Sequence, residues 1–394
     1  MKRFALLFSL LALFAGAAGA AASAQEILPG AESPDEYIPM LEGQRVCILS
    51  NQTGILPSCG KHVLDLCLEK GVNVVFIMSP EHGFRGTADA GEHVSNSVDS
   101  RTGIPIRSLY DGRGGSLPQE TLDGFDILLF DLQDVGCRFY TYYITMQKMM
   151  AVCAANGKKL IVLDRPNPLG FYVDGPLLDM KYKSGVGSLP VPVVHGMTLG
   201  EMALMINGEG WLPGGGKCDL TVIKCRNYTH RSRYVLPVRP SPNLPDMRSV
   251  YLYPSMCYFE ATPVSLGRGT DKAFQMYGHP DMKGCSFEFT PRSVPGAKNP
   301  PQLGKLCHGV DLRSEPDIEE INAAGINLEY LIDAYNNLGI GDGFFTPFFE
   351  KLIGQGYVRE MIEGGASAAQ IKARWAADVE NFKIQRRKYL LYDE

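Results

Sequence analysis

The chain has 394 residues, 45% of them hydrophobic, with 38 basic against 43 acidic side chains. Setting Lys2 and Arg3 aside leaves 36 basic groups against 43 acidic ones, a formal charge of −7 that excludes a general nucleic-acid or anionic-membrane binder. Any anionic ligand must then be met by a local basic pocket. The ten cysteines are scattered and form no C-x-x-C pair, which speaks against a small disulfide scaffold or a zinc site. Cys47, Cys67 and Cys153 sit inside apolar runs and read as small buried hydrophobes.

Lys2 and Arg3 precede an apolar run from Phe4 to Gly19 and a close in Ala22-Ser23-Ala24, the pattern of a secretory signal peptide over residues 1–24. That run is too short for a stable membrane span, and no later stretch reaches roughly 18 uninterrupted apolar residues. The expectation is an exported chain beginning near Gln25, destined for the periplasm or released outside the cell, with no stable membrane insertion. The roughly 370 residues that follow exceed the size at which one core stops growing, so two domains are expected, over 25–270 and 271–394.

Four short apolar runs rich in β-branched residues, at 45–50, 72–79, 126–131 and 159–164, predict fully buried strands. Between them, 62–70 and 139–156 carry helical patterns closed by Gly71 and Gly157. Strand alternating with glycine-closed helix predicts an α/β fold with a parallel sheet. The 80–118 stretch is too long for an ordinary connection and reads as a functional loop with minor structure. Thr198 and Glu201 predict a capped helix start, with Leu199, Met202, Ala203 and Ile206 as its buried stripe. A further strand is expected at 220–224. The proline-dense stretch 236–254 predicts an ordered irregular segment. Beyond Thr270 the pattern is α+β, with strands at 286–289 and 309–312 and helices at 328–336 and 368–382, the last opened by Ser367 and Gln370.

Each of the four strands runs into polar residues: Asn51-Gln52-Thr53, Pro80-Glu81-His82-Gly83, Asp131-Leu132-Gln133-Asp134 and Asp164-Arg165-Pro166-Asn167. In an open parallel sheet these segments share the carboxyl edge, where ligands of such folds bind. One acidic residue after a strand is more often a cap or turn former, but four polar clusters in succession favour a site. Gly214-Gly215-Gly216-Lys217 fails the Walker A pattern, no G-x-G-x-x-G follows the first strand, and neither G-x-S-x-G nor H-E-x-x-H occurs. No cofactor or metal is therefore expected. What remains is a carboxylate-rich cleft with Arg85, Arg138, Arg165 and Arg268 and the aromatic residues Phe84, Tyr140, Tyr142 and Tyr143. That is the equipment of a hydrolase for anionic carbohydrate, although each arginine taken singly fits a structural ion pair equally well.

These residues also carry a resemblance. Ser79-Pro80-Glu81-His82-Gly83-Phe84-Arg85-Gly86, the 131–143 run, Asp164-Arg165-Pro166-Asn167-Pro168, His195-Gly196-Met197-Thr198-Leu199-Gly200-Glu201, Gly267-Arg268-Gly269-Thr270 and a tail over 375–392 resemble, in order, the NamZ-type exo-β-N-acetylmuramidases, formerly a domain-of-unknown-function family. The resemblance implies a Rossmann-like N-terminal domain, a smaller C-terminal domain and an active site between them. It implies exo-hydrolysis of N-acetylmuramic acid (MurNAc) from the non-reducing end of peptidoglycan-derived sugars, with Glu81 as the leading catalytic residue. Glu81 is accordingly expected as general acid, with His82 beside it. Asp131, Asp134 and Asp164 compete as second carboxylate, and the 2-acetamido group of the substrate is a further alternative. Asn51, Arg85, Gln133, Arg138, Tyr140, Arg165, Asn167, His195 and Arg268 are the expected substrate-binding groups, one arginine taking the lactyl carboxylate. A non-catalytic muropeptide-binding protein is the competing expectation; it would need the same arginines and aromatics without the proton donor.

Overall fold

The computed structural model describes residues 25–81, 83–84, 96–109 and 117–394. The signal-peptide reading over 1–24 and the expectations at His82 and Arg85 lie outside the described residues. Strand β1 (Val46–Ser50) is followed by a small antiparallel pair, β2 (Ile55–Leu56) and β3 (Lys61–His62), then by β4 (Val74–Ser79), β5 (Ser97–Val98), β6 (Pro105–Ser108), β7 (Ile127–Asp131), β8 (Lys159–Leu163) and β9 (Asp219–Ile223). Seven of these form one sheet in the order β5-β6-β4-β1-β7-β8-β9. Every neighbouring pair is parallel except β5 with β6.

The chain moves outward from β1 through β4 to β6, then returns to the other side of β1 and moves outward again through β7, β8 and β9. This is the doubly wound order, and the reversal at β1 opens a crevice at the carboxyl ends of β1, β4 and β7. Both faces of the sheet are covered, which explains why β1 and β7 are buried at every position. Val46 and Ile48 pack on one side with Val63, Leu64 and Cys67 of the helix Val63–Glu69. Cys47 and Leu49 pack on the other with Tyr142, Met146 and Met150 of the helix Tyr142–Ala155. That two-residue alternation fixes register, because a slip of one residue would exchange the two cores. Each fully buried Leu or Ile contributes about 1.5–3 kcal/mol relative to exposure.

The helix Leu199–Gly208 opens with the expected box: Thr198 accepts from the Glu201 amide and the Glu201 side chain accepts from the Thr198 amide. The helix Ala368–Arg386 opens in the same way on Ser367 and Gln370. Between them, β10 (Met276–His279), β11 (Phe287–Phe289) and β12 (Cys307–Asp311) form an antiparallel sheet in the order β10-β12-β11. After Arg386 the chain returns to the large sheet, where the Tyr392 hydroxyl donates to Asp164 Oδ2 at 2.6 Å and the Leu391 amide donates to Glu201 Oε1 at 2.8 Å.

Two expectations need correction. The 80–118 stretch contains β6, a strand of the main sheet, which its four-residue length and leading proline hid. The 236–254 stretch is not irregular throughout, because Met247–Met256 is helical. Pro237, Pro240, Pro242 and Pro245 all precede its N-cap Asp246, whose side chain accepts from the Ser249 amide. Only Pro254 falls inside, near the C-terminal end, where a missing N–H removes a single bond. Eight of the ten cysteines are buried and all ten are free thiols, in keeping with their reading as small hydrophobes. Among the described residues no helix is long and apolar enough to cross a membrane.

Candidate active site

Glu81 stands two residues beyond β4, at the crevice. It lines a cavity of about 160 Å³ together with Phe139, Tyr140, Thr141 and Tyr142 from the segment after β7, Ser241 and Asn243 from the proline-rich segment, and Tyr253, Glu260, Arg268 and Phe274 from further along the chain. The Thr141 hydroxyl donates to Glu81 Oε2 at 2.7 Å, which fixes one carboxyl oxygen. Opposite in charge, the Arg268 guanidinium donates through Nε at 3.2 Å and Nη2 at 2.6 Å to Glu260 Oε1. Arg268 also lies 5.2 Å from the Phe274 ring centre, which in turn meets Tyr253 edge to face at 5.0 Å. The Tyr140 hydroxyl donates to the Pro240 carbonyl at 2.7 Å and so anchors the proline-rich wall.

Of the expected site residues, Glu81, Tyr140 and Arg268 meet at this cavity; the others that the structure describes are buried and do not line it. Asp131 is held by Arg165 through two bonds, 2.5 Å from Nε and 2.9 Å from Nη2, and Arg165 also donates to the Ile55 carbonyl. Both side chains are essentially without exposure. Arg138 directs its guanidinium at four main-chain carbonyls, those of Pro176, Val191, Leu352 and Ile353. It thereby closes the C-terminal end of the helix Phe348–Ile353, and Gly354 (φ +84°) is obligatory there because a Cβ would meet Arg138 Nη2 at 2.5 Å. Asp164 accepts from Thr198 Oγ1, the Gly200 amide, the Arg165 amide and Tyr392. Asn51 accepts from Thr53 twice and donates to the Tyr142 hydroxyl. Asn167 bridges the Met197 carbonyl and the Leu169 amide. Asp131, Arg138, Asp164, Arg165, Asn51 and Asn167, expected as ligand groups, thus bond to other parts of the protein and do not line the cavity.

Four of these residues keep an unpaired buried atom: Gln133 Oε1, Asp134 Oδ2, Arg138 Nε and His195 Nε2. Gln133 donates to the carbonyls of Asp134 and Pro166. Burial, with Arg386 and Arg138 nearby, pulls His195 down to about 3, so it is neutral and serves as an acceptor for the Met197 amide. Burial pushes Asp134 up to about 7, partly offset by the amides of Gly136 and Val135. A carboxyl with a raised folded-state value favours folding while protonated. Its contribution is complete below the ordinary carboxyl range near 4 and is lost as pH rises through about 7. Asp134→Asn removes this dependence. In urea titrations between pH 4.5 and 8 the variant should gain on the wild type as pH rises, by on the order of 2–4 kcal/mol at the upper end. A gap that does not change with pH would contradict the assignment.

The chain matches two family models, "Exo-beta-N-acetylmuramidase NamZ, N-terminal" over residues 46–248 and "Exo-beta-N-acetylmuramidase NamZ, C-terminal" over residues 251–392. It belongs to the NamZ family. It is 38% identical to the peptidoglycan β-N-acetylmuramidase NamZ of Bacillus subtilis, with 91% of this chain and 89% of that protein covered. Two crystal structures of DUF1343 family proteins from Bacteroides fragilis share its fold. One, at 60% identity, superposes with a TM-score of 0.88 over 94% of this chain and 100% of its own. The other, at 28%, reaches 0.78 over 93% and 99%. The two NamZ models join within the helix Met247–Met256. Glu81, Tyr140 and Thr141 belong to the N-terminal NamZ part, and Tyr253, Glu260, Arg268 and Phe274 to the C-terminal one, so the cavity lies on their seam.

Thr141, Ser241, Asn243, Tyr253 and Glu260 line the cavity without having been expected. For Glu260 a signal was present, an acid ending the otherwise apolar run Cys257-Tyr258-Phe259, eight residues before Arg268. Ser241 and Asn243 had none, because their place is set by the Tyr140–Pro240 bond and by Asn243 donating to the Gly296 carbonyl at 2.7 Å.

Proposed function

We propose that this chain removes single MurNAc units from the non-reducing end of peptidoglycan fragments such as MurNAc-GlcNAc, after export to the periplasm or beyond. By family it is a glycoside hydrolase acting on peptidoglycan. The observation that carries the finer reading is that a carboxyl able to deliver a proton, Glu81, and a cation, Arg268, share one aromatic-walled cavity on the scale of a sugar ring. A space of that size suits a terminal residue and does not suit the middle of a glycan strand.

Glu81 is the general acid. It protonates the glycosidic oxygen as the bond to the anomeric carbon breaks, and the Thr141 hydroxyl keeps its carboxyl in one orientation. The aromatic rings present apolar faces to the sugar. Arg268 uses its Nε and Nη2 donors on Glu260, which leaves Nη1 for the lactyl carboxylate that distinguishes MurNAc from GlcNAc. In a chain of negative net charge this cation supplies the local attraction an anionic substrate requires.

Substrate choice tests the reading. MurNAc-GlcNAc should be turned over with kcat/KM about 10- to 100-fold above its lactyl amide, the value of a charge-assisted bond. Equal turnover of the acid, its amide and the GlcNAc-GlcNAc analogue would count decisively against it.

A further inference from the structure

Hydrolysis by a carboxyl pair needs a second group on the far side of the anomeric carbon. Asp131, Asp134 and Asp164 do not line the cavity, and two of them are held by several protein donors each. Glu260 does line it. It sits in the single-turn helix Cys257–Ala261, of which Cys257, Tyr258, Phe259 and Ala261 are buried and Glu260 alone is not. The turn is held rigidly: Phe259 stacks on Tyr277 at 5.0 Å, and Tyr258 meets Phe139 at 5.9 Å and Phe349 at 6.1 Å. Both Arg268 bonds fall on Oε1, so one oxygen is pinned and Oε2 is left for other work. A carboxylate in a cavity wall, held by packing and by a fixed partner on one oxygen only, is how a reacting group is positioned.

We infer that Glu260 is the general base that works opposite Glu81; the inference rests on the hydrolase reading above. Glu260 Oε2 takes a proton from a water whose oxygen forms the new bond to the anomeric carbon. The electron pair of the breaking carbon–oxygen bond passes to the leaving sugar oxygen, which takes the proton of Glu81. One water is consumed, Glu260 ends protonated and Glu81 ionised, and one proton returns between them through solvent. Direct displacement by water releases MurNAc with inverted, α, configuration.

The test compares Glu260→Gln with Glu81→Gln on MurNAc-GlcNAc and on an aryl β-MurNAc glycoside whose leaving group needs no proton. Loss of the acid should be largely repaired by the aryl glycoside. Loss of the base should cost about 100- to 10,000-fold in kcat on both substrates, at an unchanged melting temperature. Azide, which attacks without a base, should then restore turnover of Glu260→Gln and yield the α-glycosyl azide. A Glu260→Gln enzyme that keeps more than a tenth of kcat and only raises KM would mark Glu260 as a mere holder of Arg268 and overturn the inference. So would an inactive variant that azide does not rescue, or that gives the β-azide, the sign of participation by the acetamido group. Wild-type protein that releases no MurNAc from either substrate would instead strike down the parent reading.

Discussion

Glu81→Gln is expected to lower the rate of MurNAc release by about 100- to 10,000-fold while the protein folds and binds sugar as before. Glu81 lies beyond a buried strand at the sheet's carboxyl edge, where a loop residue reaches a ligand without supporting the core. Gln keeps the shape and still accepts the Thr141 hydroxyl bond, but it has no proton to give the leaving oxygen. If Glu81 served only to receive Thr141, its replacement would cost around 1 kcal/mol of stability and little activity. Measuring rate and melting temperature on one preparation separates the two roles. A variant that melts earlier yet keeps more than about a tenth of wild-type activity would remove Glu81 from the chemistry.

The largest effect on stability is expected at the Asp131–Arg165 pair. Arg165→Met leaves the Asp131 carboxylate buried with both oxygens stripped of their guanidinium bonds and the Ile55 carbonyl short of a donor. Breaking a buried pair in this way costs about 3–5 kcal/mol, mostly because an uncompensated charge stays inside. Replacing both partners with apolar residues of similar size should recover much of that loss, since the desolvation penalty disappears along with the attraction. Chemical denaturation of the two single variants and the double variant gives the coupling directly. If Arg165→Met instead left the unfolding midpoint in place and raised KM alone, Arg165 would be a substrate group after all.

That pair also shows where sequence reasoning runs out. The sheet was legible because β1, β4, β7 and β8 are unbroken apolar runs, and the helix starts at Thr198 and Ser367 were legible because capping is a local, four-residue pattern. The carboxyl edge followed from chain direction alone, while the choice of Glu81 among its polar residues came from the family resemblance. Which arginine meets substrate was not legible, because Arg138 and Arg165, like Glu81, follow strands of the main sheet but turn inward, toward carbonyls at 352 and 353 and a carboxylate 34 residues away. Their partners are set by packing between distant segments. Glu260 was passed over for the same reason: only the fold brings its turn to the cavity that Glu81 lines. The helix Met247–Met256 was obscured by prolines whose effect depends on whether they fall before or after the Asp246 cap.

The central claim, removal of MurNAc from the non-reducing end, is tested most directly by incubating the protein with the two disaccharides that differ only in order and identifying the products. The expected result is free MurNAc and GlcNAc from MurNAc-GlcNAc, with GlcNAc-MurNAc left intact. Cleavage of GlcNAc-MurNAc, or mixed oligosaccharides from intact glycan with no MurNAc monomer, would contradict it.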